Sequence, residues 1–447
     1  MSSLIEPRLL QGFRDYPPAA MLPKERVLET ARRVYRSYGY SPIDTPALEY
    51  AEVLFGTGGG ETERQVYRFR DNGDRDVALR FDLTVPFARF AAMQVQQLGT
   101  PFKRYAMGPV WRGERPGQGR YREFWQCDFD TIGTTTNASD IEVALVINDL
   151  FTALGFEKFT IRVNNRLLLN GLLESIGVLD KAVPVLRSLD KLGKIGREKV
   201  IEEMAREANV TADQAARVLV LAETSGSNAD ILNAAEAAFG GSVNEQARKG
   251  LNNLRELLTA CNTAGVPERR VVIDLSIARG LDYYTGTIYE TTLSDLPGIG
   301  SVCSGGRYDN LAGKYTKQVL PGVGASLGVD RLLAAMEELK HPWMTGTATP
   351  AEVLVINFDS QRIGDYQRVA RSLRAAGIGV EVYPEVKRPK NQFEYADKRG
   401  FKVAVIAGGD EFGRGVWKVK DLAKREETEV TEGELVAKVS GILRERA

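Results

Sequence analysis

Polar and apolar residues alternate most clearly between residues 102 and 130, where two aromatic-rich runs flank a glycine- and proline-containing segment at 115–120. This pattern predicts an antiparallel hairpin with a long connection. On the second run, a period of two places five side chains on one face, namely Arg122, Phe124, Gln126, Asp128 and Asp130. The opposite face is more apolar. Such a polar face indicates either a charged ligand above it or a solvent-facing strand with cross-strand ion pairs, and the hairpin alone leaves both open.

The same patterns predict the elements around the hairpin. Apolar residues at helical spacing predict helices at 23–38, 87–97, 139–154 and 329–339. Two prolines in the extended segment 41–48 confine it to a sheet edge or an interface. Short extended runs predict strands at 65–70, 77–80, 159–163, 270–275, 287–290 and 321–328. Residues 56–61 are predicted to form a flexible loop, and residues 298–309 a glycine loop.

The composition changes at about residue 165, after which strand-forming runs are scarce up to about residue 264. We interpret residues 165–264 as a helical insertion, which serves packing and spacing or contacts nucleic acid. Residues 341–350 predict a linker. Strands and helices then alternate over 350–447, which predicts an α/β domain with parallel strand pairing. The expected organisation is a domain at 1–340, interrupted by the insertion, and a second domain at 350–447.

Composition excludes several classes of protein. A chain of 447 residues, 43% hydrophobic and 26% charged, is expected to be globular with two or three domains. Lysine plus arginine and aspartate plus glutamate number 59 each, so nucleic-acid binding would depend on local patches. Cys127, Cys261 and Cys303 have no metal-ligand spacing, which indicates a reducing compartment without disulfides or a zinc site. His341, the only histidine, lies in the linker, which argues against histidine-based acid–base catalysis.

No apolar run approaches ~18 residues, so no membrane span is expected. The N-terminal residues lack the basic and apolar regions of a signal peptide. A cytoplasmic protein is therefore expected.

Three arginines stand at strand ends and glycine turns, where a polyanion such as a triphosphate could be held: Arg112, Arg279 and Arg331. Each arginine alone is more typical of a surface residue. Residues 322–328 look like a dinucleotide fingerprint, but the third glycine comes one residue late and no acidic strand end follows. Residues 408–412 spell a diguanylate cyclase signature, yet the tail is too short for that domain, and the glycines more simply end a strand.

Four stretches together resemble the histidyl-tRNA synthetase family: residues 79–84, 112–130, 278–286 and 322–331. The resemblance covers nearly the whole chain, and the stretch 279–286 is the most specific part of it. Residues 41–48, the hairpin and residues 322–331 look like motifs 1, 2 and 3 of class II synthetases, in that order. Residues 120–130 look closer to the eukaryotic and archaeal branch than to the common bacterial one, although the turn before them is slightly shorter.

The resemblance implies a fold and a reaction. The fold is an α+β catalytic domain, with an antiparallel sheet flanked by helices, a helical insertion and a C-terminal α/β anticodon-binding domain. The implied assembly is a homodimer that uses the first helix and the strand at 41–48. The enzyme would activate L-histidine with ATP to histidyl-adenylate, releasing pyrophosphate, and then transfer histidine to the 3′ end of tRNA(His). Mg²⁺ is expected to accompany ATP.

Site residues carry over by position. Asp82, Thr84 and Gln126 would hold the histidine α-amino group, and Asp130 and Tyr284 would read the two imidazole nitrogens. Leu83 and Tyr283 are the further residues expected at the histidine site. Arg112 would bind the α-phosphate and the carboxylate, and Arg331 the outer phosphates. Arg279 would act where charge builds on the α-phosphate. Glu114 would lie at ATP, and Glu114 and Asp128 are the candidate metal-side carboxylates.

Contacts with tRNA are expected from two regions. The hairpin turn would contribute Arg115, Gln118 and Arg120. The tail would contribute a basic patch comprising Lys387, Arg388, Lys390, Lys398 and Arg399. Phe393 and Tyr395 are interleaved with this patch, a combination that suits a single-stranded loop, and the alternative is a solvated helix.

Two rival functions remain to be tested. A regulatory subunit of the first enzyme of histidine biosynthesis resembles these synthetases but lacks the tail domain, which this chain has. A class II synthetase for another amino acid is disfavoured by Asp130 together with the Tyr283–Tyr284 pair. Pyrophosphate exchange with each amino acid would separate the three readings.

Overall fold

A computed structural model of the chain describes residues 4–55, 65–278 and 283–446. Arg279 and the loop predicted at 56–61 therefore lie outside the described residues. The chain divides into two compact units. The first comprises Met1–Arg14 with Val27–Leu339, and the second comprises Asp15–Arg26 with Lys340–Ala447.

The N-terminal part of the chain forms helices and strands that the hydrophobic pattern largely anticipated. Its first helix belongs to the second unit up to Arg26 and to the first unit from Val27, and the elements after it belong to the first unit. In chain order these elements are α1 (Pro18–Ser37), β1 (Ser41–Pro42), β2 (Leu48–Tyr50), α2 (Ala51–Phe55), β3 (Arg68–Arg70), β4 (Asp76–Leu79), α3 (Thr84–Leu98), β5 (Phe102–Trp111), β6 (Glu123–Ile132), α4 (Asn137–Ala153) and β7 (Phe159–Asn165). Strands β2, β4 and β3 form a small antiparallel sheet in that order.

The region interpreted as an insertion is helical throughout its described regular structure. Its α-helices are α5 (Arg166–Ser175), α6 (Ala182–Leu189), α7 (Leu192–Ile195), α8 (Arg197–Ala208), α9 (Ala212–Ala222), α10 (Asn228–Ala237) and α11 (Glu245–Thr263). Local sequence explains two of the helix starts. Thr211 with Gln214 forms a capping box at α9, and Ser227 with Asp230 forms another at α10.

The first unit is completed by β8 (Val271–Ile273), β9 (Thr287–Leu293), β10 (Cys303–Tyr308), β11 (Gly322–Gly328) and α12 (Val329–Glu338). Eight strands form one sheet in the order β1-β5-β6-β11-β10-β9-β7-β8. The end pairs β1–β5 and β7–β8 are parallel, while the pairs between them are antiparallel. The predicted hairpin is confirmed as β5 and β6, and the proline-containing β1 lies at the sheet edge, as expected.

The glycine loop predicted at 298–309 is wrong, because strand β10 occupies its second half. The glycines of β10, Gly305 and Gly306, have no positive φ, so they provide space for neighbouring atoms rather than a turn. A Cβ on Gly305 would lie 2.1 Å from the Gly324 carbonyl oxygen. A Cβ on Gly324 would lie 2.2 Å from Oδ1 of Asp130. The glycines of β10 and β11 thus allow side chains to lie directly on the sheet.

The two faces of β6 have different environments. On the apolar face, the ring of Phe129 lies 4.9 Å from that of Tyr35 on α1, and the Tyr35 hydroxyl donates to the Cys127 carbonyl at 3.1 Å. On the polar face, Gln126, Asp128 and Asp130 are also buried, with Asp128 only 1% exposed. The polar face is therefore not a solvent-facing strand surface, which removes that alternative.

The second unit contains a five-stranded sheet with helices. Its elements are β12 (Val353–Val355), α13 (Ile363–Ala375), β13 (Val380–Val382), α14 (Pro389–Arg399), β14 (Val403–Ile406), α15 (Gly409–Arg414), β15 (Val416–Asp421), β16 (Glu426–Thr431) and α16 (Glu432–Arg444). The strand order is β13-β12-β14-β15-β16. Parallel pairing is confirmed for β13, β12 and β14, but β15 and β16 pair antiparallel, so the expectation of a parallel sheet holds only in part.

Strand β16 was not predicted. Its sequence is mostly charged and its side chains are largely exposed, as is typical of an edge strand, so it has no apolar pattern to detect. None of the described helices combines the length and apolar character that crossing a lipid bilayer requires.

Candidate active site

A cavity of about 270 Å³ lies over the polar face of β6. It draws its lining from several strands and from the start of α12. Ten residues predicted from sequence line it: Asp82, Thr84, Arg112, Glu114, Arg120, Gln126, Asp128, Tyr283, Tyr284 and Arg331. These residues span much of the first unit in sequence, so the fold brings the predicted site together in one place.

Arg112 is oriented by the backbone of the segment between β4 and α3. Its Nε donates to the Phe81 carbonyl at 2.9 Å, and its guanidinium lies 5.1 Å from the centre of the Phe124 ring. Glu114 is close to two cations, with a carboxylate oxygen 3.9 Å from Arg112 and another 4.0 Å from Arg120. This end of the cavity carries positive groups that suit phosphate oxygens.

The start of α12 is joined to the hairpin by Asp330, which the sequence analysis missed. One carboxylate oxygen accepts from the Trp125 backbone N–H at 2.7 Å, and the other accepts from Arg14 at 2.5 Å. Arg331, one residue later, donates to the Ser301 carbonyl at 2.5 Å and lines the cavity. Asp330 thereby sets the position of Arg331 relative to β6.

The hairpin connection lies against α12. A Cβ on Gly119, whose φ is +63°, would lie 3.0 Å from Cα of Arg331. Gln118 donates to Glu338 at 2.7 Å. Gln118 and Arg115 are exposed and do not line the cavity, whereas Arg120 is exposed at its rim.

The other end of the cavity is acidic. Burial raises the pKa of Asp82 and Asp130, and it raises the pKa of Asp128 to about 7, opposed in each case by the nearby Arg104 guanidinium. Four buried carboxylate or amide oxygens at this end have no hydrogen-bond partner within the described chain, namely Asp82 Oδ2, Gln126 Oε1, Asp128 Oδ1 and Asp130 Oδ2, the last of which lies 2.6 Å from Arg104. Because all four are acceptors, they match a ligand that carries N–H donors.

Two described residues that were predicted to bind histidine do not line the cavity. Asp130 accepts from the Tyr308 hydroxyl at 2.6 Å through Oδ1, and its Oδ2 lies 2.6 Å from Arg104. The side chain of Leu83 packs with Ala106 and Val110, so this residue contributes to the apolar core instead. The direct contact expected between Asp130 and the imidazole stays a prediction.

Tyr283 and Tyr284 form part of the cavity wall, and desolvation raises the pKa of both phenols. Both hydroxyls therefore stay protonated near neutral pH and act as donors or acceptors. A Cβ on Gly306 would lie 3.0 Å from the Tyr284 ring, so glycine is required beside it.

Several functional candidates escaped the sequence analysis. Arg104 is fully buried and pairs directly with Asp130 across the β5–β6 ladder, a position that the hairpin register identifies. Ser326 stands opposite Asp128 on β11, and Ser301, Ser304 and Glu290 also line the cavity. These residues have no distinguishing sequence signal, because only strand order brings them to the site.

The basic residues expected to contact tRNA in the second unit lie on and before α14. Lys387, Arg388, Lys390 and Lys398 are exposed, and the Arg399 guanidinium lies 5.5 Å from the Tyr395 ring centre. Lys387 pairs with Glu385 at 2.7 Å, and Lys390 lies 3.8 Å from Glu394. These acidic neighbours reduce the net positive charge of the patch. Among the described residues, no group of three or more histidine, cysteine or acidic side chains has a metal-binding arrangement.

Comparisons with known proteins indicate one family. The family model described as "Histidyl-tRNA synthetase" matches residues 12–332, and the model described as "Anticodon binding domain" matches residues 352–442. A histidine–tRNA ligase from Rhodopirellula baltica is 58% identical over 427 residues, covering 96% of each chain. One from Wolinella succinogenes is 46% identical, covering 94% of this chain and 95% of the relative.

Solved structures give the same result. Histidyl-tRNA synthetase from Nostoc sp. PCC 7120 has a TM-score of 0.87 and 35% identity, covering 99% of this chain and 100% of that chain. The expected closeness to the eukaryotic and archaeal branch is not supported, because these relatives are bacterial. The family model and the relatives together show that the chain belongs to the histidyl-tRNA synthetase family and has the activity of a histidine–tRNA ligase.

Proposed function

We propose that the cavity binds histidine at its acidic end and ATP at its arginine end, so that the two substrates meet between them. The observation that carries this proposal is that four buried acceptors without hydrogen-bond partners among the described residues lie at one end of the cavity, whereas cations lie at the other end. Histidine presents N–H donors on its ammonium group and ring, while ATP presents phosphate oxygens.

The α-amino group is assigned to Asp82, Thr84 and Gln126. Asp82 already accepts from the Val85 backbone N–H at 3.0 Å through Oδ1, which orients Oδ2 as the remaining acceptor. A carboxylate in a water-poor site interacts strongly with an ammonium group. The imidazole is assigned to Tyr284 and to Asp130 on β6, whose Oδ2 has no hydrogen-bond partner among the described residues, with Tyr283 supporting the wall.

The phosphates are assigned to Arg112 and Arg331, and Arg279 is proposed from sequence to act on the α-phosphate. A histidine carboxylate oxygen attacks the α-phosphorus while the bond to pyrophosphate breaks, so no protein nucleophile is required. Guanidinium groups aligned with the developing charge stabilise the transition state. In the second step, the tRNA 3′-terminal ribose hydroxyl attacks the adenylate carbonyl and AMP leaves.

Mg²⁺ is proposed to arrive with ATP. It prefers oxygen ligands, and when bound it would supply positive charge that offsets the charge of the phosphates. The Glu114 carboxylate fits one such ligand, because it lines the cavity and is partly exposed beside Arg112 and Arg120.

Recognition of tRNA(His) is assigned to two surfaces. Arg115, Gln118 and Arg120 would meet the acceptor end, and the basic residues around α14 would meet the anticodon loop. A homodimer through α1 and the β1 edge, a cytoplasmic location and a helical insertion at 165–264 belong to the same proposal. The proposed domains remain 1–340 and 350–447.

The test is ATP–pyrophosphate exchange with each amino acid in turn. Exchange that depends on histidine alone is expected. Exchange with a different amino acid would indicate another synthetase specificity, and no exchange with any amino acid would indicate a binding module.

A further inference from the structure

We propose that Arg14 is a positioning residue for the arginine end of the cavity. It fixes the return arm of the hairpin against the start of α12, and it thereby sets the spacing between two cationic segments that face the phosphates. Arg14 was not among the residues predicted from sequence. This inference rests on the proposed function, since it concerns the end of the cavity that is assigned to ATP.

Arg14 joins two segments that carry cavity-lining residues. One guanidinium nitrogen donates to the Tyr121 hydroxyl at 3.0 Å, and the guanidinium carbon lies 4.1 Å from the centre of the Tyr121 ring. The other terminal nitrogen donates to Asp330 at 2.5 Å. Both partners line the cavity, and each is adjacent in sequence to a cavity-lining cation, Arg120 on the hairpin or Arg331 on α12. A single planar guanidinium, whose donors point in fixed directions, therefore holds the two segments together.

The backbone that carries Arg14 is fixed on the same hairpin. The Arg122 backbone N–H donates to the Gly12 carbonyl at 2.7 Å, and the Arg122 guanidinium donates to the Gln11 carbonyl at 3.3 Å. Gly12 has a φ of +86°, and a Cβ at this position would lie 2.8 Å from Cγ of Arg122. This close approach requires glycine, so Arg14 extends from a backbone that is held against the hairpin.

Arg14 does not line the cavity, so it acts through its two partners. Asp330 is only 2% exposed and also accepts from the Trp125 backbone N–H at 2.7 Å. Its carboxylate therefore links Arg14 to the hairpin at a second point. The positive charge of Arg14 also offsets this carboxylate, which would otherwise repel phosphates bound beside Arg331.

The arginine end needs such support because like charges face one another there. Arg112, Arg120 and Arg331 line one cavity, and they repel each other when no anion lies between them. A polyphosphate binds tightly only if these cations are held at hydrogen-bonding distance from its oxygens, to within about 0.5 Å. Removal of Arg14 loosens that spacing and leaves the acidic end of the cavity intact.

The experiment separates the effect on ATP from the effect on histidine. ATP–pyrophosphate exchange is measured for the wild type, Arg14→Ala and Arg14→Lys, with each substrate varied in turn while the other is saturating. Arg14→Ala is expected to raise KM for ATP about 10- to 100-fold, the loss of about one hydrogen bond to a charged group. KM for histidine is expected to stay at the wild-type value. Arg14→Lys keeps the charge but not the planar fork, so its KM for ATP should lie between those of the other two proteins.

Arg89→Ala is the matched control, with thermal melting of every variant as the check on folding. Arg89 also pairs a partly exposed guanidinium with a buried carboxylate, 2.7 Å from Glu49, and neither residue lines the cavity. This variant should lose stability as Arg14→Ala does, while KM for both substrates stays at the wild-type value. If Arg14→Ala does not fold, Arg14→Lys carries the test, with a smaller rise in KM for ATP.

The assignment is overturned if the folded Arg14 variant keeps the wild-type KM for ATP, if KM rises equally for both substrates, or if Arg89→Ala raises KM for ATP as much. Wild-type exchange separates this failure from a broader one. Normal histidine-dependent exchange in the wild type, together with any of these results, rejects only the role of Arg14. No histidine-dependent exchange in the wild type rejects the proposed function.

Discussion

Replacement of Arg104 by methionine tests the buried support of the histidine site. Arg104 is fully buried, lies 2.6 Å from Asp130, donates to the Leu83 carbonyl at 3.2 Å and lies 4.4 Å from the Phe87 ring centre. Methionine preserves much of the apolar packing but removes the charge. Asp82, Asp128 and Asp130 would then share a buried region without that cation.

The expected loss in the free energy of unfolding is about 3–5 kcal/mol at neutral pH, the range for removal of one partner of a buried ion pair. A Coulomb estimate at an effective dielectric constant of about 20 gives a similar value, about 4 kcal/mol at a charge separation of about 4 Å. Since Arg104 lowers the pKa of Asp130, its removal raises that pKa further. A carboxyl whose pKa is higher in the folded than in the unfolded state takes up its proton preferentially when folded, so acid should relieve the destabilisation.

Differential scanning calorimetry of wild type and Arg104→Met, from about pH 8 to about pH 5, measures the loss of stability and its dependence on pH. The difference in stability between the two proteins is expected to shrink as the pH falls. The double variant Arg104→Met with Asp130→Asn is the matched control. It should recover part of the lost stability, because the Asp130 charge is removed together with that of Arg104. A deficit that is absent, or that grows on acidification, would refute the reasoning.

Three further predictions concern the cavity. Arg112→Ala is expected to lower the rate of pyrophosphate exchange about 10²-fold, because transition-state stabilisation is lost. Steady-state kinetics measures this rate, with Arg112→Lys as the control. Wild-type exchange rates in both variants would contradict the prediction. Gly324→Ala should reduce stability by several kcal/mol in a thermal melting assay, because its Cβ would lie 2.2 Å from Asp130 Oδ1. The control is Gly441→Ala on helix α16, where a Cβ would have no neighbour within 4 Å. This variant should be neutral or stabilising in the same assay. Because burial raises the pKa of Asp128 to about 7, ionisation of this carboxyl lowers the stability of the folded state above that pH. The free energy of unfolding should therefore rise on acidification from about pH 8 to about pH 5 more in the wild type than in Asp128→Asn, and parallel pH profiles of the melting temperature in the two proteins would contradict this.

Several features of this protein were readable from residue order because they depend on local periodicity. The β5–β6 hairpin, the helices and the helical stretch after residue 165 each follow from spacing along a single segment. The family resemblance then assigned residues that the cavity does collect, from Asp82 to Arg331. In the second unit the same periodicity identified the strands β12 to β15, but it missed the charged edge strand β16.

Tertiary structure decided which of these side chains line the cavity. Asp128 and Asp130 occupy equivalent positions in the alternation of β6, yet the register with β5 places Arg104 beside one of them and leaves the other facing the cavity. The glycines of β10 and β11 resemble turn residues in sequence, but close strand packing is what requires them. Periodicity encodes the face on which a residue lies. Burial, ion pairing and free hydrogen-bonding capacity depend on segments distant in sequence, so only the folded chain determines them.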